Sequence, residues 1–161
     1  MNLRLAEIAR AEAGKNYHGT TDVAIGNLQP LEELFSEADD VTHGMLNADW
    51  SGAFVYLCTK LAGISLPVRY PDPRVHASFA SSISWVEYAR LPKIRLWRKN
   101  NTTPEIGDVA VLAPTEHTPC LLGVVLEVLE DCAELAIGNY HNHSAIVEKP
   151  LCEIYGYIRL T

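Results

Sequence analysis

Ser51 opens the least polar helical stretch of the chain, Ser-Gly-Ala-Phe-Val-Tyr-Leu-Cys-Thr-Lys-Leu-Ala-Gly over 51–63, and its hydroxyl is the first group to weigh for covalent chemistry. A helix N-terminus offers free N–H groups and the positive end of the dipole, both of which favour an anion. A serine hydroxyl is too weak an acid to ionise from a dipole alone. Ser51 therefore attacks a carbonyl only if a base within hydrogen-bond reach takes its proton. The simpler role for the same residue is to begin or cap the helix. His117 lies in the loop between Pro114 and Pro119, four positions before Leu121. It would have to fold back across about one strand length, ~13 Å, to serve as that base. His141-Asn142-His143 is an i, i+2 pair without nearby thiol or carboxylate and reads as polar loop. The four cysteines, Cys58, Cys120, Cys132 and Cys152, show no Cys-x-x-Cys spacing, and three sit in apolar runs where cysteine behaves as a small hydrophobe. The expectation is no metal, no disulfide and no cofactor.

The helix that carries Ser51 holds a single charge, Lys60, and apolar residues on nearly every face, so it must be buried. Asp49 suits its N-cap and Gly63 its C-terminal stop. Upstream, Leu3, Leu5, Ile8, Ala9 and Ala13 keep an apolar stripe until Gly14, which predicts a helix. Residues 15–29 read as loop, 30–35 as a short acidic helix entered through Pro30, and 36–47 as a second loop. After the proline-rich turn at 66–73, residues 75–91 read as another helix. The period then changes. Residues 94–97 alternate, 109–112 and 121–129 are apolar runs, and 132–137, 145–147 and 154–160 complete a strand-rich half. Helices followed by strands define an α+β class, with N-terminal helices packed on a C-terminal antiparallel sheet. No repeat or linker divides the chain, so 1–161 is expected to be one domain.

A net charge of −7 argues against a nucleic-acid or anionic-membrane partner. Residues 1–47 hold eight Asp or Glu against Arg4, Arg10 and Lys15, and a basic run, Arg90, Lys93, Arg95, Arg98 and Lys99, follows mid-chain. Both read as solvated faces. No apolar run approaches the ~20 residues of a membrane span, and the first residues lack the apolar region of a secretory signal, which places the chain in the cytoplasm as written.

Several segments, taken in order, carry a family resemblance. They are Asp49-Trp50-Ser51-Gly52-Ala53-Phe54-Val55-Tyr56 with Ala62-Gly63 eleven and twelve residues after Ser51, then Pro104-Glu105-Ile106-Gly107-Asp108-Val109, Leu121-Leu122-Gly123-Val124-Val125, Gly138-Asn139 and Gly156-Tyr157-Ile158-Arg159. Ser84-Trp85-Val86-Glu87-Tyr88-Ala89 is similar to a tryptophan-bearing helix of some members. Over roughly residues 1–160 the pattern resembles the CHAP and NlpC-type cysteine hydrolases, papain-like enzymes that typically cleave amide bonds in peptidoglycan.

The resemblance implies roles that this sequence does not fill. Ser51 stands at the nucleophile position, where the active family has cysteine and the helix terminus favours thiolate. Leu121, two residues before Gly123, stands at the histidine position, so the base is lost there. Ile137 replaces an acidic residue before Gly138, while Asn139 remains as a third polar group, and the apolar pair Leu121 and Ile137 implies a dry, plugged cleft. Cys120 is expected to point away from the face of Leu121, and Cys58 to be core. The first expectation is thus a pseudoenzyme that binds a peptide, a peptidoglycan or other glycan fragment, or a protein partner in a groove lined by Tyr17, Trp50, Ser51, Asn139 and Tyr140. An alternative is an active peptidoglycan amidase or endopeptidase, in which Ser51 replaces an engineered-away cysteine or is served by His117. A third is a plain protein interaction module.

Overall fold

The computed structural model describes residues 1–37, 40–112 and 120–161, apart from the side chains at 40, 41, 43 and 45. Five helices precede a six-stranded antiparallel sheet, the α+β arrangement expected from the order of the elements. The helices are α1 (Leu3–Ala13), α2 (Gln29–Leu34), α3 (Asp40–Ala48), α4 (Ser51–Leu61) and α5 (Ser82–Arg90). The strands are β1 (Trp97–Lys99), β2 (Val109–Leu112), β3 (Leu121–Val128), β4 (Cys132–Tyr140), β5 (His143–Pro150) and β6 (Ile154–Ile158), in the spatial order β1-β6-β2-β3-β4-β5. No helix among the described residues is long and apolar enough to cross a membrane.

Helix α4 is the centre of the packing. Every residue from Ser51 to Thr59 is buried. Its C-terminal end closes as a Schellman motif, with Gly63 at φ +81°, the Gly63 N–H on the Lys60 carbonyl at 3.0 Å and the Ile64 N–H on the Thr59 carbonyl at 2.9 Å. Two glycines let the helix sit close to its neighbours. A Cβ on Gly52 would lie 2.8 Å from the Ala80 carbonyl oxygen, and one on Gly138 of β4 would collide with Phe54. Helix α1 begins at Asn2, whose Oδ1 accepts the Leu5 N–H at 3.1 Å, and turns Leu5, Ala6, Ala9 and Ala13 inward.

Three elements differ from the sequence expectation, the first being the alternation at 94–97, where Ile94 lies in a turn and Arg95 takes φ +55°, so that only Trp97 of the four joins β1. Residues 36–47, expected as loop, contain most of α3. Gly44 and Asn47 weaken intrinsic helix propensity, but the buried residues Thr42 and Leu46 lie one turn apart, and the Thr42 and Ser78 hydroxyls meet at 2.8 Å. Tertiary docking thus outweighs propensity. The helix expected over 75–91 is confined to α5, because 75–81 turns inward instead. There Trp85 Nε1 donates to the carbonyls of Phe79 at 2.9 Å and Gly52 at 3.2 Å, stitching the turn to α4.

A polar latch joins the end of α1 to β5. The buried Glu12 accepts from the Tyr17 hydroxyl at 2.6 Å and from Lys15 Nζ at 2.7 Å. Ser144 Oγ donates to the Ala13 carbonyl at 3.0 Å and accepts the Tyr17 N–H at 2.9 Å. Burial, reinforced by the hydrogen bond and charge of Glu12, pushes the Tyr17 hydroxyl well above the ordinary tyrosine range. The folded chain therefore keeps this proton after the unfolded chain has released it, so the contribution is whole below about pH 10 and is lost as pH rises further. Urea midpoints followed from about pH 8 to about pH 11 should fall less steeply for Tyr17→Phe than for the parent. Parallel slopes would show that Tyr17 carries none of the alkaline loss.

Candidate functional site

The candidate site is the N-terminus of α4, where four elements bring polar groups together. Ser51 is the first residue of the helix and is 0% exposed. Trp50, not the expected Asp49, holds the N-cap position and makes no side-chain cap hydrogen bond; Asp49, one residue further back, instead accepts the Ser51 N–H through Oδ1 at 3.1 Å. The same Oδ1 accepts from Asn139 Nδ2 at 3.3 Å. Ser82 Oγ, from the first turn of α5, lies 3.1 Å from Asp49 Oδ2 and 3.0 Å from the Cys120 carbonyl oxygen, and its single proton is shared between them. Ser51 Oγ accepts the backbone N–H of Leu122 at 3.3 Å.

A carboxylate here is favoured by the helix dipole and takes the first free N–H of the terminus. The arrangement thus supplies its own anion where an activated nucleophile would otherwise benefit. Among the described residues no histidine is hydrogen-bonded to Ser51. Its hydrogen bonds go to Asp49 and to Leu122, and neither bond removes the hydroxyl proton. Burial raises the pKa of the Cys120 thiol, Ser82 hydrogen-bonding lowers it in part, and the charge of Asp49 raises it further. That environment holds Cys120 as a thiol, the unreactive form.

Strand parity corrects the expected plug. Cys120, Leu122, Val124 and Leu126 belong to the core cluster that contains α4, whereas Leu121 packs with the second cluster, on the opposite face of the sheet, together with Val125 and Ile137. Leu121 and Ile137 therefore do not fill a cleft beside Ser51. Cys120 does point away from the face of Leu121, and for that reason it points toward α4. Cys58 is fully buried in the same core. Of the aromatic residues expected to line a groove, Tyr17 at 5% and Trp50 at 1% exposure have no ring face open to a ligand. Trp50 Nε1 points at Asn142 Oδ1, 3.4 Å away. Tyr140 is half-buried against the second cluster, with Lys149 Nζ 5.3 Å from its ring centre. Asn139, at φ +60°, does join the site through Asp49. His117 lies outside the described residues.

The expectation from sequence omitted Ser82. Its signal was a run of small hydroxyl residues, Ser78, Ser81, Ser82 and Ser84, all buried around the start of α5. The segments 104–109 and 156–159 meet away from the site: Arg159 donates through Nε to Asp108 Oδ1 at 3.0 Å and through Nη2 to Oδ2 at 2.8 Å, while Nη1 lies 2.7 Å from Glu105 Oε1. This bidentate pair ties the end of β6 to the start of β2. In comparisons with known proteins, no family model, no curated protein and no solved structure matches the chain.

Replacing Asp49 by Ala removes the acceptor of the Ser51 N–H and of two side-chain partners, Ser82 and Asn139, and should cost about 1–2 kcal/mol in urea unfolding, with Asp49→Asn, which keeps one acceptor oxygen, costing less. A loss within a few tenths of a kcal/mol for both would mean that the cluster adds nothing to stability. Exposed Cys152 should react first with a thiol reagent under native conditions, while Cys58 and Cys120 stay unlabelled until the chain unfolds. Peptide mapping by mass spectrometry reads the order, and early labelling of Cys120 would contradict its closed environment.

Proposed function

We propose that this chain is a non-catalytic domain of the CHAP type, which acts by binding a peptide, a glycan fragment or a protein rather than by cleaving an amide bond. The observation that carries this reading is the state of Ser51. Its hydroxyl is enclosed, receives the Leu122 N–H and sits at a helix terminus already occupied by the Asp49 carboxylate. Acyl transfer needs a base on the nucleophile and a place for the substrate carbonyl beside it. The strand face opposite α4 presents Cys120 and Leu122 instead of an imidazole. A resemblance of pattern alone assigns no activity, so the weight rests on these side chains.

The test is a peptidoglycan and muropeptide cleavage assay of the parent chain beside Ser51→Cys and the double variant Ser51→Cys, Leu121→His. All three should be inert, the last because position 121 faces the second cluster. Cleavage by Ser51→Cys alone would overturn the reading, since a base would then stand within reach of position 51.

A further inference from the structure

Beside the candidate site, residues 19–28 form a tightly tied loop that presents two apolar side chains to solvent. Val23 is 94% and Ile25 87% exposed. The loop is held from within. Thr21 N–H donates to the Ala24 carbonyl at 2.8 Å, Gly26 N–H to Thr20 Oγ1 at 2.9 Å, Asn27 N–H to the His18 carbonyl at 3.0 Å, and His18 N–H to Asn27 Oδ1 at 2.7 Å. A Cβ on Gly26 would lie 2.6 Å from the Thr20 nitrogen, which shows how closely the two arms approach. At its base Gly19 exchanges hydrogen bonds with Asn142, the residue that Trp50 also reaches. Two branched aliphatic side chains on a loop so constrained gain nothing for the fold, because neither is buried.

Ile25 borders a concavity of about 320 Å³ floored by Leu28 and Leu46 and rimmed by Gln29, Glu32 and Asn47. Through Glu32, Leu46 and Asn47 it continues into a second concavity of about 390 Å³ that adds Glu33 and Ser36. The groove thus has two leucines at its base, the exposed Ile25 beside it, and otherwise polar walls that include the carboxylates of Glu32 and Glu33. No Lys or Arg occurs between Lys15 and Lys60, while Asp22, Glu32 and Glu33 lie in this stretch. The two flanking cations are engaged elsewhere, Lys15 on Glu12 at 2.7 Å and Lys60 over the Tyr56 ring at 5.5 Å.

We propose that this groove, with Ile25 at its lip and the exposed Val23 two residues before it on the same loop, docks a cationic peptide segment in which an aliphatic side chain is flanked by Lys or Arg. Charge complementarity selects that occupant. A second copy of the chain would bring another −7 against an acidic rim, and the arginines of its basic run are engaged within its own fold, Arg90 over the Trp97 ring at 4.3 Å, Arg95 on the Pro92 carbonyl at 2.8 Å and Arg98 on the Arg95 carbonyl at 2.9 Å; a free basic segment neutralises the rim and lets its aliphatic residue cover Ile25. The proposal rests on the binding reading given above for its biological sense, but not on the silence of Ser51.

The probe is a Lys-Leu-Lys-Leu-Lys-Leu-Lys peptide titrated into the full chain by fluorescence anisotropy, beside its Glu-for-Lys counterpart. The cationic probe should bind and weaken with added salt, and the acidic one should not bind. Val23→Ser with Ile25→Ser, and separately Glu32→Gln with Glu33→Gln, should each weaken binding about tenfold or more. Glu127→Gln with Glu130→Gln, exposed residues at the end of β3 and beyond it, should leave affinity unchanged. Equal weakening by the two charge pairs would reduce the effect to net charge and overturn the proposal. So would self-association that is lost in Val23→Ser, Ile25→Ser, since the occupant would then be a second copy. Cleavage in the muropeptide assay with the titration unchanged would remove the non-catalytic reading and leave the groove standing. Inert enzyme arms with no peptide binding would do the reverse.

Discussion

The structure depends on enclosing one helix from every side. Helix α4 presents nine consecutive buried residues, so no orientation of it leaves an apolar stripe in water. It therefore needs a sheet beneath it, through β3 and β4, and a shell above it from α1, α2 and α5. The small residues fall where this enclosure is tightest. Gly52 lets the 78–82 turn pass over the helix start, and Gly138 lets β4 approach Phe54. Close packing of this kind makes the neighbours of α4 mutually dependent, since a displacement of any one reopens the others.

The same constraint shapes the polar end of the helix. Groups brought into the interior must be paired there, because water is not available to satisfy them. Asp49, Ser51, Ser82, Asn139 and the backbone at 120–122 meet this demand among themselves. A network whose members satisfy one another is stiff and unreactive. Its carboxylate organises the helix start instead of orienting a base, and its hydroxyls hold loops in register. The chemistry-bearing residue types and the structural ones are here the same residues, used for structure.

Much of this was legible in the sequence, and what was not has a physical cause. Helix α4, its Gly63 stop and the strand runs from 109 onward could be read because burial, the C-terminal glycine and period agreed, whereas the short alternation at 94–97 carried no such support. Helix α3 could not, since its propensity is poor and its anchors, Thr42 and Leu46, act only through partners distant in sequence. The facing of β3 was hidden for another reason. Residues 121–126 are apolar or glycine throughout and most of that run is buried on both faces, so residue type gives no sign of which parity meets α4. A motif aligned on Gly123 therefore placed Leu121 on the wrong side of the sheet, whereas contacts place Cys120 and Leu122 beside Ser51. Asn139 was foreseen at the site, but its tie to Asp49 required the positive φ and close approach that only the fold supplies.

Strand β6 follows every other strand in the chain yet lies inside the sheet, between β1 and β2. During synthesis β1 consequently waits for a neighbour until more than fifty further residues have emerged, and β2 meanwhile displays an open edge next to its hairpin partner β3. The fork from Arg159 to Asp108 and Glu105 can form only when that insertion is finished. The nascent chain thus passes through a stage with a gapped sheet, when pairing with foreign strands competes with its own completion, and the fork marks the moment at which that hazard ends.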